Sequence, residues 1–230
     1  MKTIASITSL LAALTLAAMP ASASTYGDAT GDVTGGVPSG LDLTSVVVNN
    51  DATSLTFTLN LAGDPTAATW YNYIVGISEN LFGGVGGNAN ATGGWSDNIQ
   101  MSTGGMDYFM GAYPGFAGYD LKTWNGSAWT GTTGTASENS SSVTISVALS
   151  ALGLSAGNSF TFDVWSNSSG NTVLDALSDP TSRTWNSTPF DTGANALSYT
   201  VTGVPEPTAF ALLGLGGLLI TMMRRRTSTR

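Results

Sequence analysis

Apolar and polar residues alternate along much of the chain, and the alternating runs are separated by clusters of Gly, Asn, Ser and Thr. Leu55, Phe57 and Leu59 alternate with Thr56, Thr58 and Asn60, and Val143, Ile145 and Val147 alternate with Thr144 and Ser146. Phe160, Phe162 and Val164 do the same with Thr161, Asp163 and Trp165. A period of two sends successive side chains to opposite faces, so each run predicts a half-buried β-strand. Leu43–Val48, Trp70–Ser78 and Leu197–Val201 predict further strands, and Met106–Ala112 and Tyr119–Trp124 weaker ones. Trp165, out of phase with its apolar neighbours, is expected to face outward. The stretch from Asn49 to Thr53 is a turn by composition. Asn125-Gly126 predicts a tight hairpin that returns into Ala128-Trp129. Only Ala148–Leu154 suggests a helical turn, and Gly153 opposes anything longer.

Eight or more short strands without an amphipathic helix predict an all-β fold, an antiparallel β-sandwich of jelly-roll or Greek-key type. The longest irregular region runs from Leu81 to Gly105 and holds Gly83-Gly84-Val85-Gly86-Gly87. No lysine and no helix follow these glycines and the surroundings are acidic, so a flexible surface loop is a better reading than a phosphate-binding one. Trp95 in that region either folds back onto the core or faces a ligand.

Both ends of the chain break the alternation. Met1-Lys2, an apolar run Ile4–Ala18 and the small-residue triplet Ala21-Ser22-Ala23 form a secretory signal peptide, residues 1–23, cleaved after Ala23. Near the other end, Val204-Pro205-Glu206-Pro207 precedes Ala209–Met223, fifteen residues with Thr221 the only polar one, and then Arg224, Arg225 and Arg226. As a helix this run is roughly 22 Å long against roughly 30 Å of hydrocarbon, so it spans a bilayer only with snorkelling arginines and local thinning. The arginines mark the cytoplasmic side. Residues 204–230 resemble the PEP-CTERM sorting signal of Gram-negative bacteria in all three parts and in position. The resemblance implies an exosortase as processing partner, transient insertion in the inner membrane and release to the cell surface without Ala209–Arg230. It also implies an exopolysaccharide or biofilm setting. A plain C-terminal transmembrane anchor is the alternative.

Charge narrows what residues 24–203 can do. Of fifteen acidic residues only Glu206 lies outside residues 24–204, and only Lys122 and Arg183 are basic inside, so fourteen acids against two bases give −12. Such a surface repels nucleic acid and attracts cations, Ca²⁺ above all. The chain has no cysteine and no histidine. Disulfides, thiol nucleophiles, Ser-His-Asp triads and His- or Cys-ligated metals are therefore impossible. A carboxylate-only glycan hydrolase or lyase survives this filter. Its candidate glutamates, Glu79 and Glu138, sit in no recognisable pattern and are expected to be solvated loop carboxylates.

Two residue sets carry candidate chemistry. Asp28, Asp32 and Asp42, near a Gly turn, suit the oxygen coordination of Ca²⁺, although the first two could instead cap turns. Asp175 and Asp179 form a second set with the same ambiguity. Trp95, Trp124, Trp129 and Trp185 lie in or beside polar loops, where flat aromatic faces could cover a sugar ring; burial in the core is the other reading. Asn-x-Ser/Thr sites at Asn90, Asn125, Asn139, Asn167 and Asn186 make glycosylation chemically available.

Asp28-Ala29-Thr30-Gly31-Asp32, then Leu41-Asp42-Leu43-Thr44 and the alternating strand from Leu55, resemble the opening of DOMON-like sandwiches. These include the family-nine carbohydrate-binding modules. The resemblance extends through Trp124-Asn125-Gly126-Ser127-Ala128-Trp129 and Phe160–Val164, and it implies binding of sugar, haem or surface polymer. Without histidine, haem ligation of the usual kind is in doubt. The expected function is thus a non-catalytic structural or carbohydrate-binding protein of the extracellular matrix, with a glycan hydrolase or lyase as the alternative.

Overall fold

The computed structural model describes residues 23–79, 99–114, 118–132, 135–168, 172–185 and 190–203. The expected signal peptide up to Ser22, Trp95 and the glycine run, and the expected sorting signal from Val204 lie outside the described residues. Among the described residues no helix is long and apolar enough to cross a membrane.

Fourteen strands build the described fold: β1 (Ala23–Gly27), β2 (Leu43–Asn50), β3 (Ser54–Leu61), β4 (Tyr71–Ser78), β5 (Ile99–Gln100), β6 (Tyr108–Tyr113), β7 (Gly118–Trp124), β8 (Trp129–Thr132), β9 (Thr135–Glu138), β10 (Ser142–Ala148), β11 (Ser159–Ser168), β12 (Val173–Ala176), β13 (Phe190–Asp191) and β14 (Leu197–Thr200). Five form one sheet in the order β1-β2-β3-β10-β9, and a second runs β12-β11-β4-β6-β7-β8, with β14 also paired to β11. Every ladder in these two sheets is antiparallel; the short β13–β5 pair and the isolated bridge between Val33 and Arg183 are parallel.

The alternation explains the layering. Val46, Val48, Phe57, Leu59, Val143 and Ile145 of the first sheet are fully buried in one core with Val75, Ile77, Met110, Phe162 and Val164 of the second. Phe57 meets Phe162 edge-on with ring centroids 5.5 Å apart, and Tyr26 meets Phe162 at 5.0 Å. Polar partners such as Thr56 and Ser146 bond each other on the other face of the first sheet. This is the two-layer arrangement of a sandwich.

The second sheet departs from the simple pattern because both of its faces are covered. Trp165 does point away from the main core, but it is fully buried in a second cluster with Ile74, Ile99, Met101, Met106, Phe109 and Val173. The segment after Leu81, expected to be irregular as far as Gly105, pairs through Ile99 and Gln100 with β13 and helps form this cover. Gly76 gives the Trp165 ring its room, since a Cβ there would lie 2.8 Å from two ring carbons and from the Met106 sulfur. Gly76→Ala is expected to cost about 1–3 kcal/mol by overpacking, read from urea unfolding. Asn167 is fully buried, which removes it as a glycosylation site.

Turn chemistry follows the residues. Asp51 accepts bonds from the backbone N–H groups of Thr53 and Ser54 at 2.7 Å each, closing the β2–β3 turn. Gly126 takes φ +93° in the β7–β8 hairpin, where Trp124 pairs with Trp129. The helical turn near Ala148 is a short 3-10 turn, Leu149–Ala151.

Candidate functional site

At one end of the β1–β2 ladder the chain leaves β1 and makes a loop over residues 28–36 before a 3-10 turn leads into β2. The Asp28 N–H donates to the Thr44 carbonyl, and Gly31 adopts φ +84° as the loop reverses. The loop is held by a strap after β12: the Arg183 N–H donates to the Asp32 carbonyl at 3.0 Å and the Thr34 N–H to the Arg183 carbonyl at 2.8 Å. The Arg183 guanidinium bonds the Val173 carbonyl and Asp179, and lies 5.0 Å over the Phe190 ring.

This geometry gathers acids from distant stretches. One carboxylate oxygen from each of Asp28, Asp32 and Asp175 lies within 4.8 Å of the other two. Asp42 adjoins them, accepting the Gly31 N–H at 2.9 Å. Asp32, Asp42 and Asp175 are only 8%, 3% and 1% exposed. Asp175 is anchored by the Leu43 and Ala176 N–H groups at 2.6 and 2.8 Å. Both oxygens of Asp32, Oδ2 of Asp28 and Oδ1 of Asp42 are buried without a hydrogen-bond partner.

Four such oxygens are an electrostatic anomaly. Burial pushes Asp28 up to about 7, and the charges acting on it, Asp32, Asp163 and Asp42, are all negative. Burial and then Asp28 push Asp175 up to about 9. Asp32 is raised by burial and by Asp42, and Asp42 by burial. A buried carboxylate without a donor or a cation is costly by several kcal/mol. A hard divalent cation removes that cost. Three oxygens no more than 4.8 Å apart can all lie within about 2.8 Å of one point, a few tenths of an ångström beyond the 2.3–2.6 Å of calcium–oxygen bonds. The donor set, all carboxylate oxygen, suits Ca²⁺ and not a soft metal.

Of the acids singled out from sequence, Asp28 and Asp32 therefore meet, and Asp42 stands beside them with one bonded and one unbonded oxygen. Asp175 completes the group of three, while Asp179 caps Thr181 and pairs with Arg183. No local pattern ties Asp175 to Asp28; the link is the approach of β12 to the start of β2.

The tryptophans separate into two places. Trp129 packs edge-on against Phe109 at 4.9 Å and beside Trp124 at 5.4 Å, flanking the second core. Trp185, at the end of the strap, is 37% exposed and leans at 48° on Trp70, with centroids 5.5 Å apart. Trp70, which the alternation placed in a strand, lies just before β4 and joins this pair.

Glu79 also differs from expectation. It is partly buried at the end of β4, its N–H donates to Asp107 at 2.6 Å, and its Oε1 is buried without a partner. Burial and the nearby Asp107 push it up to about 7.

No family model and no curated protein matches this chain.

Proposed function

We propose that the chain is an exported cell-surface protein, sorted by an exosortase-type system, whose sandwich holds one Ca²⁺ and associates without catalysis with extracellular polysaccharide. The observation that supports this most is the set of buried, unpartnered carboxylate oxygens on Asp28, Asp32 and Asp42 beside Asp175. A bound cation would neutralise like charges there and tie the 28–36 loop, the start of β2 and β12 into one unit. Asp28, Asp32 and Asp175 would hold it, with Asp42 supporting. Through Asp32 and Arg183 the same ion steadies the strap that carries Trp185. The Trp185 and Trp70 faces then offer a shallow apolar surface suited to the face of a sugar ring. A DOMON-like sandwich is the fold we propose, with sugar or surface polymer rather than haem as the ligand class.

The second reading, a carboxylate-only glycan hydrolase or lyase, draws on Glu79. Its raised acidity range beside a second carboxylate is what a general acid requires. Against it, Asp107 is fully buried and bonded to the Glu79 backbone, which leaves it poorly placed to meet a substrate.

Retention on a gel bearing the host's own polysaccharide tests the proposal. The protein is expected to be retained in 2 mM Ca²⁺ and released by EGTA, with Trp185→Ala reducing retention about tenfold. No retention in either condition would sink the binding role and leave a structural one; release of reducing sugar, lost in Glu79→Gln, would favour the hydrolase.

A further inference from the structure

The acid cluster supplies fewer ligands than the ion it suits. Asp28, Asp32 and Asp175 bring one close oxygen each, and Asp42, whose Oδ2 accepts the Gly31 N–H, can bring its Oδ1 as a fourth. Ca²⁺ takes about six to eight oxygens, so about two to four positions are left over. The main-chain carbonyls of Asp32, Leu41, Asp42 and Thr44 are engaged elsewhere, by the N–H or hydroxyl groups of Arg183, Ser166, Ala62 and Asp28 in that order. The cluster is more than a group of acids. Asp32 is 8% exposed and both of its oxygens are buried with no side-chain partner, although one of them faces Asp28 and Asp175.

The approach to the cluster is one-sided. Asp175 is 1% exposed and tied to the start of β2 through Leu43, whereas Asp28 is half-buried. Ala29, Thr30 and Gly31, which follow Asp28, are exposed, and a Cβ at Gly31 would meet no atom within 4 Å. The strap borders the same loop. Val33 and Arg183 form a parallel bridge, and a Cβ at Gly35 would lie 2.3 Å from the Thr184 hydroxyl oxygen. Trp185, two residues beyond Arg183, is about 7 Å further along an extended chain. One short oligosaccharide can reach from the Asp28 side of the cluster to its ring.

Charge decides what that oligosaccharide is. Three carboxylates and one divalent ion sum to −1, and an ionised Asp42 makes the sum −2. A uronate or phosphate group would add negative charge to this and to the −12 of residues 24–204. Sugar hydroxyls add none, and their oxygens are the hard donors that Ca²⁺ takes. We infer that the ion itself contacts the polymer: two adjacent hydroxyls of a neutral sugar ring complete its sphere on the Asp28 side, while Trp185 covers an apolar ring face. This rests on the calcium and polysaccharide reading proposed above and adds the ligand class to it, a neutral pyranose with a vicinal diol.

Europium(III), which prefers the same oxygen donors, tests the contact when loaded at one equivalent in place of calcium. Its luminescence lifetimes in H₂O and D₂O count the coordinated waters. The count is expected to be at least about two for the protein alone and to fall by about two when soluble fragments of the host's own polysaccharide are added. Fragments with their carboxyl groups reduced to alcohols keep this effect, and fragments with their vicinal diols cleaved by periodate lose it. In Trp185→Ala the fall at saturation is the same but needs about tenfold more fragment. A sphere closed to water from the outset, or a constant count while the fragments still quench tryptophan fluorescence, would overturn the direct contact and leave the calcium and polymer readings standing. Loss of the effect on carboxyl reduction would overturn the neutral diol in favour of an acidic sugar. Europium that fails to bind, or a protein retained on the polysaccharide gel in neither condition, would overturn the underlying reading as well.

Discussion

Calcium at 2 mM is expected to raise the melting temperature of the protein by about 4–7 °C over the EGTA-treated form. Extracellular calcium modules bind with dissociation constants of about 10⁻⁴–10⁻³ M. At the tighter limit, a 20-fold excess contributes about 1.8 kcal/mol, and each kcal/mol moves the transition of a domain this size by about 2–4 °C. Asp32→Asn is the sharpest variant, because both Asp32 oxygens are buried with no side-chain partner and only the adjacent N–H groups of Asp32 and Val33 act in their favour. In calcium it melts below the wild type and shows a shift under 1 °C. In EGTA it melts at or above the wild type, since it removes a buried charge with no partner. That reversal of sign separates a metal ligand from a merely structural aspartate. Scanning calorimetry of both proteins in both buffers reads it; a full calcium shift in Asp32→Asn would refute the site.

Asp163→Ala destabilises the fold by about 4 kcal/mol or more. Asp163 is fully buried on β11 and accepts four bonds: the Val164 and Ser178 N–H groups at 2.8 and 3.2 Å, and the Ser178 and Thr192 hydroxyls at 2.6 and 2.5 Å. Truncation leaves four donors unsatisfied at about 1–3 kcal/mol each, with partial relief where water enters. Asp163→Asn keeps an acceptor and costs less. Burial pushes the Asp163 carboxyl up to about 6 despite its hydrogen bonds. Between about pH 4, where the unfolded chain releases this proton, and about pH 6, the folded chain binds more of it. Its stability contribution is therefore complete below pH 4 and declines as pH rises through 6. The difference in urea midpoint between wild type and Asp163→Asn is expected to change across pH 4–6 and to be flat from pH 7 to 8. A difference independent of pH would refute the assignment.

The eight strands expected from sequence all occur, although β4 is buried along its whole length; the period of two reads those, such as β3 and β10, that set one face on the core and the other toward water. It fails where that contrast vanishes. β12, Val173–Ala176, is buried throughout, and β1 and β9 are short polar edges with little apolar signal. Trp165 shows the same limit: its orientation was legible, but its burial depended on Ile99 and Met106 arriving from a loop. In the acid cluster, Asp28, Asp32 and Asp42 were legible as neighbours in sequence. Asp175 was not, since only the pairing of β12 with β11 and the bond to Leu43 bring it across 132 residues. Glu79 looked like a solvated carboxylate because nothing local announces Asp107 behind it.

The β1–β2 ladder has a mechanical consequence. Ala23 pairs with Asn49 in the first sheet and Thr202, after β14 of the second, bonds the adjacent Asn50, so a pull that separates these two ends loads the β1–β2 ladder one rung at a time, as a zipper opens, instead of shearing all rungs together. Tension on Ala23 would peel β1 from β2 through the pairs Ala23–Asn49 to Gly27–Ser45 and then arrive at Asp28. There the chain enters the acid cluster, so an ion bound by Asp28, Asp32 and Asp175 would be the stop that keeps the tear from running on into the loop and β2.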